Sequence, residues 1–200
     1  MIKSVNYDQA EILLNIMELN GISCFDADIT YGNGSFYKNS VPEPSLKFDI
    51  SPQVEGVIKC SSDALPIEDS SLSSIVFDPP FLTYVKEARD HNSIMAKRFG
   101  GYWRYDDLMR HYKRTIDECY RVSGKKGKLI FKCQDIVHNH KLQPTHINII
   151  NYCAPMFRLK DMFILAAKSR MPIPQQEGTK KKVQKHARIH HSYFLVLERK

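Results

Sequence analysis

The chain has 200 residues, of which 42% are hydrophobic and 26% are charged. This length suits one compact domain and is too short for two ordinary enzyme domains. No apolar run approaches the roughly 18–20 residues that a membrane helix requires, and the polar N-terminal segment lacks the apolar core of a signal peptide. We therefore expect a soluble, cytoplasmic protein with no membrane partner.

Five cysteines are widely spaced in apolar surroundings, at Cys24, Cys60, Cys119, Cys133 and Cys153. An odd number with no repeated spacing is typical of free thiols and not of a disulfide framework. We expect all five to be buried and unpaired, as in a reducing compartment.

The net charge of +7 is concentrated toward the C-terminus. Residues 158–200 hold 11 Lys/Arg and three Asp/Glu, a local balance of +8, whereas residues 1–157 balance to −1. Such asymmetry favours a polyanionic partner, most often a nucleic acid, with a solvated basic tail as the alternative.

Helix-like and strand-like patterns alternate along the chain. Apolar spacing predicts an opening helix over residues 7–20 with Asn6 as its cap, a second helix from Tyr105 until Gly124, and a third over residues 146–153. Short apolar runs predict strands at residues 23–28, 46–49, 56–60, 74–78, 128–133, 161–167 and 192–197. This order predicts a mostly parallel α/β sheet with helices on both faces.

Four carboxylates come at or just after the ends of predicted strands: Asp28, Asp49, Asp63 and Asp78. Ligands of parallel α/β sheets bind at this edge, so these side chains can converge on one crevice. Gly32 and Gly34 follow the first strand, and Asp49 comes 21 residues after Asp28. That separation is typical of an acid that reaches a ribose hydroxyl in nucleotide sites. The alternative is a tight turn and a surface carboxylate.

The tetrapeptide Asp78-Pro79-Pro80-Phe81 directly follows an apolar strand. Two prolines fix the backbone and remove two N–H donors, so the chain leaves the sheet stiffly with the flanking Asp and Phe held in place. A fixed carboxylate can accept a hydrogen bond from an amino group, and a nearby aromatic ring can stack on the ring that bears it. The alternative is a simple turn that ends the strand.

Together these motifs resemble those of class I S-adenosylmethionine-dependent methyltransferases that methylate exocyclic amino groups. The resemblance is carried by Asp28-x-x-x-Gly32-x-Gly34, Asp49, Asp63 before Ala64-Leu65-Pro66, and Asp78-Pro79-Pro80-Phe81. The opening helix and the pattern from His186 to Val196 are similar to those of small phage-type or bacterial DNA methylases. The resemblance implies one Rossmann-like methyltransferase domain over residues 1–200, with an antiparallel last strand.

The resemblance also implies a role for each motif residue. It assigns Asp28, Tyr31, Gly32 and Gly34 to the methionine end of the S-adenosyl-L-methionine cofactor, Asp49 to its ribose, and Asp63 with Ala64 to its adenine. The catalytic residues would be Asp78, Pro79, Pro80 and Phe81, which hold the target amine for direct methyl transfer without a metal. Phe81 would stack on a base flipped out of the helix.

The implied substrate is an exocyclic amine in DNA. Adenine is favoured over cytosine, because Asp78 stands where cytosine-type enzymes more often carry Ser. The alternatives are a ribosomal RNA methyltransferase acting on an adenine or guanine amine, and an inactive nucleic-acid-binding module with the same fold. The chain leaves no room for a separate target-recognition domain. Residues 82–105 as a lid, the basic segment 168–191, or a partner subunit or homodimer would then supply specificity.

Basic side chains provide candidates for substrate binding. Lys132 comes at the end of a predicted strand near the crevice, where it lines the target pocket or only fills an amphipathic edge. The basic run Lys180, Lys181, Lys182, Lys185 and Arg188 would contact phosphates, with a solvated loop as the alternative. The histidines near residues 138 and 190 lack further ligands at metal-binding spacing, so no metal is expected.

Overall fold

The computed structural model describes residues 1–81, 83, 104–167 and 184–200. Within these ranges the chain forms three helices, α1 (Gln9–Asn20), α2 (Tyr105–Val122) and α3 (Thr145–Cys153). The strands are β1 (Val5–Asn6), β2 (Ala27–Asp28), β3 (Leu46–Asp49), β4 (Ile58–Lys59), β5 (Leu72–Phe77), β6 (Ser123–Cys133), β7 (Ile136–His138), β8 (Lys141–Gln143), β9 (Phe157–Ala166) and β10 (His191–Arg199).

Eight of these strands form one sheet in the order β1-β9-β10-β6-β5-β2-β3-β4, while β7 and β8 form a separate hairpin. The strands from β2 to β6 are parallel to one another, and β1 is parallel to β9. Strand β10 lies between β6 and β9 and is antiparallel to both. The predicted mostly parallel sheet with an antiparallel last strand is confirmed.

Alternate residues of the central strands pack on opposite faces of the sheet, as the period of two along a strand requires. On β5, Ile75 and Phe77 join a core with α2 and α3, whereas Val76 joins a second core with α1. On β6, Phe131 and Ile130 divide between the same two cores. Helices therefore cover both faces, as predicted from the alternation of elements.

Several predicted boundaries were wrong. Asn6 does not cap α1, because its side chain accepts from the N–H groups of Tyr7 and Asp8. The cap is Asp8, whose carboxylate accepts from the Ala10 N–H at 2.8 Å. Gly124 does not end α2 directly, since it already lies inside β6. The structure also contains β1, β7 and β8, which are too short to show a period in the sequence.

All five cysteines are free. Cys119, Cys133 and Cys153 are buried as expected, but Cys24 and Cys60 are partly exposed, which corrects the expectation for these two. No described helix combines the length and apolar character that a membrane crossing requires.

Candidate active site

A cavity of about 690 Å³ lies at the carboxyl edge of the parallel strands. The sequence-predicted residues that line it are Tyr31, Gly32, Asp49, Asp63, Asp78, Pro80 and Lys132. These residues lie together because β2, β3, β5 and β6 all run in the same direction, so that their carboxyl ends meet at one edge of the sheet. A volume between roughly 300 and 1,000 Å³ is typical of sites for small ligands.

Asp49, the last residue of β3, holds the glycine loop. Its two carboxylate oxygens accept from the N–H of Gly32 at 2.8 Å and from the N–H of Ser51 at 2.7 Å. Gly32 has a φ of 60° and open space where a Cβ would lie. The loop backbone and the Asp49 carboxylate thus form one wall of the cavity.

Gly34 is required for a different reason from Gly32: it leaves space for the Tyr31 side chain. A Cβ at Gly34 would lie 2.6 Å from the Tyr31 hydroxyl oxygen. The Tyr31 ring is buried and stacks on Tyr37, with centroids 5.7 Å apart. Gly34 is not among the residues that line the cavity, and it makes room for the Tyr31 ring.

Alanine at these two glycines is expected to have unequal effects. Both residues have positive φ, so each substitution costs about 1 kcal/mol of backbone strain. Gly34→Ala also displaces the stacked Tyr31 ring, and we expect it to lower the free energy of unfolding by about 2–3 kcal/mol in all. Urea denaturation of both variants measures the difference, and equal losses would contradict this account.

Asp28, at the end of β2, is only 1% exposed and lies behind the cavity. Its carboxylate accepts from the Tyr37 hydroxyl at 2.7 Å and from the Thr30 N–H at 2.7 Å. Burial raises the pKa of Asp28 to about 7, the nearby Asp78 carboxylate adds to this rise, and the two hydrogen bonds oppose it. Asp28 supports the loop from inside, and its assignment to the cofactor stays a prediction.

The pKa of Asp28 predicts a pH-dependent stability. Because the folded-state pKa lies above the value of 3.8 for an exposed carboxyl, the folded protein keeps a proton that the unfolded chain has lost between about pH 4 and pH 7. Stability from this group is complete below that window and is lost as the pH rises through it. Between pH 5 and pH 8, the free energy of unfolding of the wild type should fall by about 2–3 kcal/mol relative to that of Asp28→Asn. If the free energies of unfolding of the two proteins changed equally with pH, the pKa of Asp28 in the folded protein would not be raised.

The segment Asp78-Pro79-Pro80 is anchored at both ends. The Asp78 N–H donates to the Thr30 hydroxyl at 2.8 Å, and the Tyr112 hydroxyl donates to the Pro80 carbonyl at 2.9 Å. Burial raises the pKa of Tyr112 well above its usual value, so this hydroxyl remains a donor. Asp78 and Pro80 line the cavity, whereas Pro79 and Phe81 are not among its lining residues.

Lys132 also faces the cavity, from the central strand β6. Its ammonium nitrogen lies 3.2 Å from Oδ2 of Asp78 and 2.8 Å from Oε1 of Gln9. The rings of Phe36, Phe194 and Phe81 have centroids 5.1, 5.6 and 5.9 Å from the same nitrogen. Because β6 is an interior strand, Lys132 does not fill an exposed edge.

Asp63 also lines the cavity. It accepts a hydrogen bond from the Ser61 hydroxyl and pairs with Arg114, whose Nη2 lies 2.8 Å from Oδ2. The Ser61 hydrogen bond lowers the pKa of Asp63, and the Arg114 charge contributes. Ala64, beside it, donates its N–H to the Ser61 carbonyl and is not a lining residue.

Helix α2 supplies cavity residues that the sequence analysis missed. Asp107, Arg110, His111 and Arg114 line the cavity together. They recur at i, i+3, i+4 and i+7, which places them on one face of the helix. This polar stripe is visible in the sequence. The hydrogen bond between Gln9 and Lys132 is not, because 123 residues separate the two side chains along the chain.

The remaining predicted residues lie apart from the cavity or outside the described residues. Lys185 and Arg188 are described and are exposed, and neither lines the cavity. Lys180, Lys181 and Lys182, with nearly all of the predicted lid over residues 82–105, fall outside the described residues. Within the described ranges, no group of three or more His, Cys, Asp or Glu side chains could hold a metal ion.

No protein-family model and no curated protein matches this sequence. Among solved structures, the chain is similar to the PH0226 protein from Pyrococcus horikoshii, with 14% identity, a TM-score of 0.52, and coverage of 96% of this chain and 90% of that chain. It is also similar to the N-methyltransferase NodS from Bradyrhizobium japonicum, with 9% identity, a TM-score of 0.51 and coverage of 94% of each chain. The fold is a Rossmann-like methyltransferase fold.

At these identities the similarity shows the fold alone. TTHA0409 from Thermus thermophilus, a candidate DNA modification methylase, is 17% identical with a TM-score of 0.45. The alignment covers 70% of this chain and 52% of that one, so the chain spans about half the length of TTHA0409.

Proposed function

We propose that this chain is an S-adenosylmethionine-dependent methyltransferase acting on an exocyclic amino group of a nucleic-acid base, with adenine in DNA as the favoured substrate. The observation that carries the proposal is the position of Asp78 and Pro80 in the same cavity as Asp49 and Asp63. An amine held at Asp78 would therefore share one cavity with a ligand held by the other two carboxylates.

The cavity fits the cofactor by its size and by its donor and acceptor groups. Asp49 offers a carboxylate to ribose hydroxyls, and Asp63 offers one to the adenine amine. Gly32 lets the loop backbone approach the ligand, since no neighbouring atom lies within 4 Å of its Cβ position. When bound, the cofactor supplies a methyl group attached to a positively charged sulfur, which is a reactive electrophile.

The protein's own residues would then align the amine. The Asp78 carboxylate accepts a hydrogen bond from the target amino group and orients its nitrogen lone pair toward the methyl group. Pro80 keeps Asp78 in place through the bond from Tyr112. Phe81 is not a lining residue, but its ring centroid lies 5.9 Å from the ammonium nitrogen of Lys132, and the ring would stack on a base that reaches this point. Because the methyl group is intrinsically reactive, alignment and electrostatics provide most of the catalysis, and no protein nucleophile is required.

Two sequence features support this substrate. The tetrapeptide Asp78-Pro79-Pro80-Phe81 resembles that of enzymes that methylate amino groups, which supports the type of acceptor, and among base-methylating enzymes its first residue favours adenine. The balance of +8 over residues 158–200 suits a polyanion. Contacts between phosphates and the basic segment, including Lys185 and Arg188, belong to this proposal.

The test is transfer of a labelled methyl group from S-adenosylmethionine to unmethylated duplex DNA, single-stranded DNA and total RNA in parallel. Nuclease digestion then identifies the methylated nucleoside, while calorimetry measures cofactor binding separately. We expect label in N6-methyladenine from DNA. Label only in RNA would favour the RNA methyltransferase, and cofactor binding without any transfer would contradict a nucleic-acid substrate. Absence of cofactor binding would leave only a binding module with this fold.

A further inference from the structure

We infer that Asp78 and Lys132 form an acceptor–donor pair that recognises the edge of the target base. The inference rests on the proposed function. The pair selects an amine whose neighbouring ring nitrogen is unprotonated, as at N6 and N1 of adenine or at N4 and N3 of cytosine. It disfavours the Watson–Crick edge of guanine, where a second donor stands beside the amine.

The sheet places the two side chains next to each other. Phe77 and Phe131 are register partners in the parallel pair β5 and β6. Asp78 and Lys132 are the next residues, and Oδ2 of one lies 3.2 Å from Nζ of the other. Both line the cavity, so a planar ligand can meet the carboxylate and the ammonium group along one edge.

The surroundings hold the Lys132 side chain in place. The Lys132 side chain is only 12% exposed, and Gln9 and Asp78 are its hydrogen-bond partners among the described residues. The rings of Phe36, Phe81 and Phe194 favour a cation at this point. An ammonium group has three N–H donors and no acceptor, so it can recognise a ligand only through an acceptor.

Base chemistry then decides which edge matches. An amino group donates to Asp78, and the adjacent ring atom faces Lys132. N1 of adenine and N3 of cytosine accept a hydrogen bond, whereas N1 of guanine carries a hydrogen. When the N1–H of guanine faces an N–H of Lys132 at this largely buried position, neither of these two N–H groups bonds the other, and this weakens binding. The pair therefore rejects guanine in this orientation through repulsion as well as through a missing bond.

The experiment compares two oligonucleotides that contain the methylated site found by the transfer assay. One carries adenine and the other 1-deazaadenine, which keeps the amine and replaces N1 by C–H; 3-deazacytosine serves if the target is cytosine. The readout is the ratio of kcat/KM for the natural base to that for the deaza base. Wild type, Lys132→Met and Lys132→Gln are measured, with Lys125→Met as a matched control at an exposed position of β6.

We expect the ratio for wild type and Lys125→Met to exceed that for Lys132→Met by about 10- to 100-fold, the range of a hydrogen bond from a charged donor. Intrinsic reactivity differences between the bases cancel in this comparison. Lys132→Gln, which retains an N–H donor, should give an intermediate ratio. Circular dichroism shows whether each variant is folded.

Each other outcome overturns a defined claim. Equal ratios in wild type and Lys132→Met overturn the inference and leave the proposed function standing. Label in N2-methylguanine overturns the inference if replacing N3 of guanine by C–H leaves the wild-type rate unchanged, because N3 is the unprotonated ring nitrogen beside that amine. Transfer to no nucleic acid overturns the proposed function, and the inference fails with it.

Discussion

Replacing Asp78 with alanine is expected to reduce methyl transfer by about 100-fold or more while the dissociation constant of S-adenosylmethionine changes less than about threefold. The carboxylate at the end of β5 accepts from the target amine in the proposed site, so its loss removes alignment of the nucleophile. The groups proposed to bind the cofactor, Asp49 and Asp63, belong to other elements. Radiolabel transfer and isothermal calorimetry measure the two quantities on the same protein.

Two further variants separate this effect from a general loss of structure. Asp78→Asn retains a carbonyl acceptor and should recover part of the activity lost in Asp78→Ala. Asp106→Ala removes an exposed carboxylate from the first turn of α2 and should transfer methyl groups at the wild-type rate. Full activity of Asp78→Ala would remove Asp78 from the proposed mechanism.

Unlike Asp78→Ala, the Asp49→Ala variant is expected to lose affinity for the cofactor and to keep most of its rate of transfer. We expect it to raise the dissociation constant of S-adenosylmethionine by about 10- to 100-fold, since the proposed hydrogen bonds from the ribose hydroxyls to the Asp49 carboxylate would be lost. The Gly32 N–H also loses its acceptor at 2.8 Å, so the loop is held less firmly. At saturating cofactor, kcat should stay within about fivefold of the wild type. Calorimetry and initial rates over a cofactor series test both parts.

The control for Asp49 lies in the same part of the chain. Glu55 is acidic and exposed, and it is not among the cavity-lining residues. Glu55→Ala should bind the cofactor like the wild type. If Asp49→Ala also bound it with unchanged affinity, the ribose role of Asp49 would be wrong, and the carboxylate would serve only to hold the loop.

Local patterns predicted the elements that bury one clear face or stripe. Helix α2 and strand β5 fall within two residues of the predicted positions, because their apolar residues recur with a helical period or in a continuous run. Strand β6 ends at Cys133 as predicted but begins five residues earlier, at Ser123. Strand β2 has only two residues, Ala27 and Asp28, although residues 23–28 predict a longer strand. Residues 23–26 have the composition of a strand, but whether such residues form ladder hydrogen bonds depends on distant partners.

In the candidate site, the sequence likewise predicted some features and not others. Asp49, Asp63 and Asp78 were found because the ends of parallel strands meet at one edge whatever the details of packing. Asp28 satisfies the same rule, yet it turns inward to Tyr37 and does not line the cavity. The rule gives the edge at which a residue lies and not the direction of its side chain.

The sequence by itself determined the order of the three described helices and of seven strands, the carboxyl edge where the site forms, and the stiff exit after β5. These follow from local periodicity and from the backbone limits of proline and glycine, which act within a few residues. Only the tertiary structure decided that Lys132 meets Asp78, Gln9 and three aromatic rings. Such contacts depend on strand register and on helices packed from distant parts of the chain, which no local spacing encodes.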